Sequence, residues 1–230
     1  MITTIFWDVD GTLLDFPYSE RYAITKAFEM AGLQITEEMI ARYAGINDDY
    51  WKKLELGQVT KKELLTGRFR TLFEEFGITG VDVEVFRECF QEELGNVYRY
   101  LDDSFEVCKS LKGRAAQYVI TNGLASTQRK KLSLSHLDEL MDGLFISDEL
   151  GAPKPEPVFF EACLKQIPEK DKSKILVVGD SISSDIKGGI QAGLRTCWYR
   201  TEEGASFGDW KPDYIISHLS QVEQLIMCKK

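Results

Sequence analysis

The sequence predicts an α/β fold with a mainly parallel sheet, interrupted after its first strand by an all-helical insertion. Three observations carry this. Short, nearly continuous apolar runs recur along the chain, helical periodicities fall between them, and the stretch 17–98 holds helical patterns with no convincing strand. Ile2 to Trp7 reads as the first strand. Five helical segments follow: Ser19 to Ala31, Thr36 to Tyr43, Asp48 to Leu56, Thr60 to Phe76 and Asp82 to Leu94. Thr60-Lys-Lys-Glu63 has the pattern of a capping box, and Gly57 and Gly77 stand where helices stop. Val83, Phe86 and Phe90 share one helical face and read as a core stripe.

Alternation then resumes. A helix from Asp102 to Leu111 leads into a strand from Gln117 to Thr121. A helix from Ser126 to Met141 precedes a strand from Leu144 to Ser147, and a helix from Pro157 to Gln166 precedes one from Lys174 to Gly179. A helix from Asp185 to Ala192 and strands from Leu194 to Tyr199 and Tyr214 to Ile216 complete the pattern. Val177-Val178 and Ile215-Ile216 suit strands covered on both faces. The expected division is residues 1–16 and 99–230 for the α/β core and 17–98 for the helical domain.

The chain has 230 residues, 43% of them hydrophobic, which is ample for a core. Its formal net charge is −9, which repels a nucleic-acid backbone and argues against a polymeric nucleic-acid partner. The five cysteines, Cys89, Cys108, Cys163, Cys197 and Cys228, form no CxxC pair and read as free thiols of a reducing compartment. The start of the chain lacks a signal-peptide pattern, and no apolar run approaches the ~18 residues of a membrane span. The expectation is a cytoplasmic protein, monomer or small homo-oligomer, without a membrane partner. His136 and His218 belong to no motif and read as locally satisfied.

Four motifs carry chemistry, each just beyond a predicted strand, where open α/β sheets bind ligands. Asp8-Val9-Asp10-Gly11-Thr12 puts two carboxylates on one side of an extended chain. Such a pair repels itself unless a cation or proton intervenes, although Asp-Gly also suits a plain turn. Thr121-Asn122-Gly123 offers a hydroxyl, an amide and backbone donors for a phosphoryl group, although Asn-Gly is a common turn too. Lys154 lies in Gly151-Ala-Pro-Lys-Pro-Glu-Pro, where prolines stiffen the backbone around a charge. Gly179-Asp180 to Asp185 adds two acids whose oxygens suit Mg²⁺; Asp180 reads as a direct ligand, and Asp185 as a ligand through water, a supporting group or a helix N-terminal charge.

These motifs, in this order and with the helical interruption after the first, resemble the haloacid dehalogenase-like hydrolase superfamily. The resemblance implies a Rossmann-like core with a helical cap. It implies that Asp8 is the nucleophile that becomes an aspartyl-phosphate, and that Asp10 protonates the leaving oxygen and then activates water. Thr121 and the Asn122 backbone would hold the phosphoryl oxygens, and Lys154 would orient Asp8. Mg²⁺ would be held by Asp8, the Asp10 main-chain carbonyl and Asp180, with Asp185 beside them. The superfamily's dehalogenases lack an acid at the position of Asp10, because a halide leaving group needs no proton.

Within the superfamily, Gly45-Ile-Asn47-Asp-Asp-Tyr-Trp51, Leu54-Glu55-Leu56-Gly57, Arg68-Phe69 and Thr196-Cys-Trp-Tyr are similar to the YjjG-like pyrimidine nucleotidases. That similarity implies a small phosphorylated metabolite as substrate, with Asn47 and Trp51, and then Arg68, as the cap residues that choose it. Trp51 also suits a helical core. A phosphomutase, a sugar-phosphate phosphatase and a non-enzymatic binding protein on the same scaffold are the alternatives.

Overall fold

The computed structural model describes residues 1–200 and 208–227; Cys228 and the basic pair Lys229-Lys230 lie outside them. The chain opens on β1 (Thr4–Trp7) and passes through α1 (Phe16–Met30), α2 (Glu37–Glu55), α3 (Lys61–Glu75) and α4 (Val83–Gly95). It continues as α5 (Ser104–Leu111), β2 (Ala116–Thr121), α6 (Ala125–Leu134), β3 (Gly143–Ile146), α7 (Ser147–Leu150) and α8 (Pro157–Gln166). Then come β4 (Ile175–Gly179), α9 (Lys187–Ala192), β5 (Arg195–Tyr199), β6 (Tyr214–Ile216) and α10 (Val222–Met227). Two compact units result: Met1–Asp15 with Arg99–Lys230, and Phe16–Tyr98.

The α/β unit is built on a six-stranded sheet ordered β3-β2-β1-β4-β5-β6, with every pairing parallel. β1 lies inside the sheet between β2 and β4, and the strand order reverses there. The carboxyl end of β1 therefore opens onto the crevice left where connections diverge. All four residues of β1 and all five of β4 are buried, so both strands read as continuous apolar runs. One core cluster gathers Phe6, Tyr118, Phe145, Phe160 and Val177, and the Phe6 ring meets those of Tyr118 and Phe145 edge-on.

The helical unit has its own aromatic core. Tyr43 of α2 stacks on Phe69 of α3 at 5.4 Å, and Phe86 and Phe90 of α4 approach Phe69 edge-on at 5.2 Å each. The expected capping box is formed: the Thr60 side chain accepts from Glu63 N–H, and the Glu63 carboxylate accepts from Thr60 N–H.

Four expected segments differ. The segments from Thr36 to Tyr43 and from Asp48 to Leu56 form one helix, α2, because Tyr43, Ile46 and Asn47 bury a single face that runs past Gly45. That packing outweighs the ~1 kcal/mol a helical glycine costs. The helix expected from Ser126 to Met141 stops at Leu134. His136 turns left-handed (φ 56°), and Leu137 N–H bonds back to the Leu132 carbonyl in a helix-ending motif. A short 3₁₀ turn, Asp138–Leu140, then leads toward β3. The segment from Asp185 to Ala192 begins within a widened π-helical turn, Ile182–Ile186, ahead of α9.

The four cysteines of the described residues are free: Cys108, Cys163 and Cys197 are buried, and Cys89 is half-buried. No helix among the described residues is long and apolar enough to cross a membrane. The packing ranks two substitutions in the helical unit. Phe69→Ala should cost about 3–5 kcal/mol and Thr60→Ala about 1 kcal/mol in urea unfolding; equal losses would contradict the assignment of Phe69 to the centre of this core.

Candidate active site

β1 delivers Asp8 to the mouth of the sheet, and Asp8 N–H continues the ladder by donating to the Val178 carbonyl of β4 at 2.9 Å. The chain then curls back, with Leu13 and Leu14 N–H both donating to the Val9 carbonyl. Gly11 makes this curl at φ 92°, in the region that favours glycine. A Cβ there would also lie 2.5 Å from Asp180 Oδ2. On the neighbouring strand, a Cβ at Gly179 would lie 2.3 Å from the Asp185 carboxyl carbon. Both glycines are therefore room for an acid.

Asp8, Asp180 and Asp185 each place a carboxylate oxygen within 4.8 Å of the others. Lys154 enters this group buried (2% exposed). Its Nζ donates to Asp8 Oδ1 at 2.6 Å, to Asp185 Oδ1 at 2.6 Å and to the Ile120 carbonyl at 3.0 Å, which satisfies all three of its N–H groups. Three carboxylates against one ammonium leave two negative charges, the complement of a divalent cation. The donors are all oxygens, as Mg²⁺ prefers, so these residues fit that ion.

The electrostatics agree. Burial drives the Asp8 carboxyl well above its ordinary range; Lys154 pulls it down, and Asp185 and Asp180 push it up again. Loss of hydration and then the Asp185 charge also raise the Asp180 carboxyl. Asp180 is the most solvent-exposed of the three, and the Thr12 hydroxyl and the Lys154 charge oppose its rise. Burial alone would lower the Lys154 ammonium, but Asp185 and Asp8 outweigh it and hold the group firmly protonated.

Further contacts hold these groups in place. Asn122 accepts from Lys154 N–H at 2.8 Å and donates to the Lys154 carbonyl at 2.9 Å, a two-way clamp that fixes the lysine's backbone from the end of β2. The Asn122 side chain is thus occupied with Lys154, which leaves its backbone for a ligand. Thr121 Oγ1 accepts from Gly123 N–H at 3.1 Å. Thr12 donates to Asp180 Oδ1 at 3.2 Å, and Trp198 Nε1 donates to the Asp180 carbonyl at 2.8 Å. Asp185 Oδ2 accepts from Ser181 N–H at 3.2 Å, which closes the turn that carries both acids. Asp10 is not part of the carboxylate triad: its side chain meets Lys131 and Gln128 of α6.

In the helical unit, Asn47 (2% exposed) donates to Glu20 Oε1 at 2.7 Å and accepts from the Arg68 guanidinium. Arg68 is buried against the rings of Phe69 and Phe90, with its Nε and Nη2 groups unpartnered among the described residues. Burial pushes the Glu20 carboxyl up to about 7 against the pull of Arg68. Trp51 is half-buried on α2. His136 pairs with Glu139 at 2.8 Å, and His218 lies 3.7 Å from Asp102. Gly11 gives a direct check of the α/β site: Gly11→Ala should weaken Mg²⁺ binding by about tenfold or more, since it adds left-handed strain and displaces Asp180. Calorimetric titration that finds unchanged affinity would contradict the geometry.

Comparison with known proteins agrees with this architecture. The haloacid dehalogenase-like hydrolase family model matches residues 2–193. The chain is 31% identical to the HAD-hydrolase YfnB of Bacillus subtilis, over 98% of both chains. It is 31% identical to the pyrimidine 5′-nucleotidase YjjG of Escherichia coli, over 98% of this chain and 97% of that one. It is 33% identical to the pyrimidine 5′-nucleotidase PynA of Streptococcus pneumoniae, over 92% and 90%. A crystal structure of YfnB bound to magnesium superposes with a TM-score of 0.94, covering 99% of each chain. With the parallel sheet and the strand-end motifs already in place, these matches establish that the chain belongs to the haloacid dehalogenase-like hydrolase family.

Proposed function

We propose that this hydrolase is an Mg²⁺-dependent phosphomonoesterase that works through an aspartyl-phosphate on Asp8, with nucleoside 5′-monophosphates or similar small phosphate esters as substrates. The observation that carries this reading is Asp8 held by Lys154 within a carboxylate triad two charges short of neutrality. When bound, Mg²⁺ supplies charge neutralisation for the incoming phosphoryl group. The protein's own groups do the rest. Lys154 takes Asp8 Oδ1 and so leaves the other carboxylate oxygen to attack phosphorus. Thr121 and the backbone of Asn122 hold the phosphoryl oxygens at the end of β2. Asp10 gives its proton to the departing ester oxygen and later takes one from the water that releases phosphate.

The nucleotide preference rests on the two pyrimidine 5′-nucleotidases among the relatives and on the helical unit. There Asn47 and Trp51, with Arg68, are the substrate-selecting residues of this reading. A screen of phosphorylated metabolites with Mg²⁺, including pyrimidine nucleotides and sugar phosphates, tests it; similar efficiency on many esters would count against a dedicated nucleotidase.

Two further outcomes follow. Asp8→Asn should lower phosphate release by a factor on the order of 10⁴ or more, since it removes the nucleophile; unchanged turnover would end the assignment. The second concerns pH. Burial raises the Asp8 and Asp180 carboxyls in the folded protein. The stability they contribute is present below their unfolded values and is lost as pH rises through the folded ones. Mg²⁺ binds the ionised set, so it should raise the melting temperature more at pH 8 than at pH 5. An equal shift at both pH values, or one retained in Asp180→Asn, would refute the cation site.

A further inference from the structure

The carboxylate of Asp10 is gripped from one side by two residues of α6. Lys131 Nζ donates to Asp10 Oδ1 at 2.7 Å, and Gln128 Nε2 donates to Asp10 Oδ2 at 2.6 Å. The two donors stand three residues apart, one turn of helix, and so face the same way. One donor on each oxygen fixes the rotation of the carboxylate as well as its place.

The grip has been built at a cost. The Lys131 side chain has no exposed surface, and Gln128 is 1% exposed. Burying an ammonium is expensive unless it answers a specific charge. Gln128 keeps its N–H on Asp10 while its own Oε1 stays buried without a protein partner among the described residues. A Cβ on Gly123 would lie 2.3 Å from Gln128 Nε2, so the turn after Thr121 is cut back to admit the amide. Simple neutralisation of Asp10 would need none of this directionality.

We propose that Lys131 and Gln128 are positioning residues for Asp10, aiming its carboxyl for proton transfer to and from the reacting phosphate ester. This rests on the phosphomonoesterase reading. In the first half-reaction an Asp8 oxygen bonds to phosphorus, the ester P–O bond breaks, and the departing oxygen takes the Asp10 proton. In the second, water oxygen bonds to phosphorus, the bond from phosphorus to the Asp8 oxygen breaks, and Asp10 recovers a proton from that water. Lys131 and Gln128 keep their protons throughout. Proton transfer depends steeply on direction, so loosening Asp10 should tell most where the leaving group needs the proton.

The test compares two esters on the full chain with Mg²⁺. One is p-nitrophenyl phosphate, whose phenolate leaves with little help. The other is uridine 5′-monophosphate or, where the wild type turns over another alkyl phosphate faster, that ester. Lys131→Met should lower kcat/KM for the alkyl ester about 10–100-fold and for the aryl ester less than about threefold. Lys131→Arg should recover most of the difference. Gln128→Leu, which removes no charge, should show the same split at about three- to tenfold, and it decides the matter if Lys131→Met does not fold. Equal losses on the two esters, in a wild type active on both, would overturn this proposal alone. A wild type inactive on every ester would overturn it together with the phosphatase reading.

Discussion

The ammonium of Lys154 is the contact on which the rest of the site depends. It joins the acid just beyond the first strand to an acid in the turn that follows the fourth, Asp8 to Asp185, across most of the sequence. Without it, three carboxylates within 4.8 Å would repel one another apart or stay protonated. With it, the cluster retains the charge that suits one divalent ion. The surrounding structure serves this arrangement. Asn122 clamps the lysine's backbone, Gly11 and Gly179 clear space for acids, and Trp198 ties down the chain at Asp180.

The same logic recurs on a smaller scale at Asp10 and within the helical unit. Asp10 is matched by a buried lysine, so the two acids of the first motif have separate cationic partners. Different partners give the two carboxylates different electrostatic surroundings. In the helical unit, Glu20, Asn47 and Arg68 form a polar chain inside an otherwise apolar core. Two Arg68 nitrogens without a partner among the described residues make that chain more costly than packing alone requires.

Much of this was legible because it is written locally. Strands buried on both faces show as runs such as Ile175 to Val178, and the acids and the lysine stand immediately beyond predicted strands or in a stiff loop. What escaped depends on approach from elsewhere in the fold. Lys131 looks like the end of a short basic run, Arg129-Lys130-Lys131, yet only Lys131 of that run turns fully inward. The available signal was spacing: Thr127, Gln128, Lys131 and Leu132 fall on one helical face, so three polar side chains share a face with a core leucine. The clamp between Asn122 and Lys154 spans 32 positions and has no sequence signature. The run of α2 through Gly45 and the end of α6 at His136 were missed because tertiary burial and a left-handed cap outweighed local preference.

In the proposed mechanism Asp8, poised by Lys154 and a cation, takes the phosphoryl group itself. Mass spectrometry of the chain quenched in acid during turnover tests this most directly. The expected result is the added mass of one phosphoryl group on the peptide containing Asp8, dependent on Mg²⁺. Phosphate release with that peptide unmodified at every quench time, or the same mass on another residue, would contradict it.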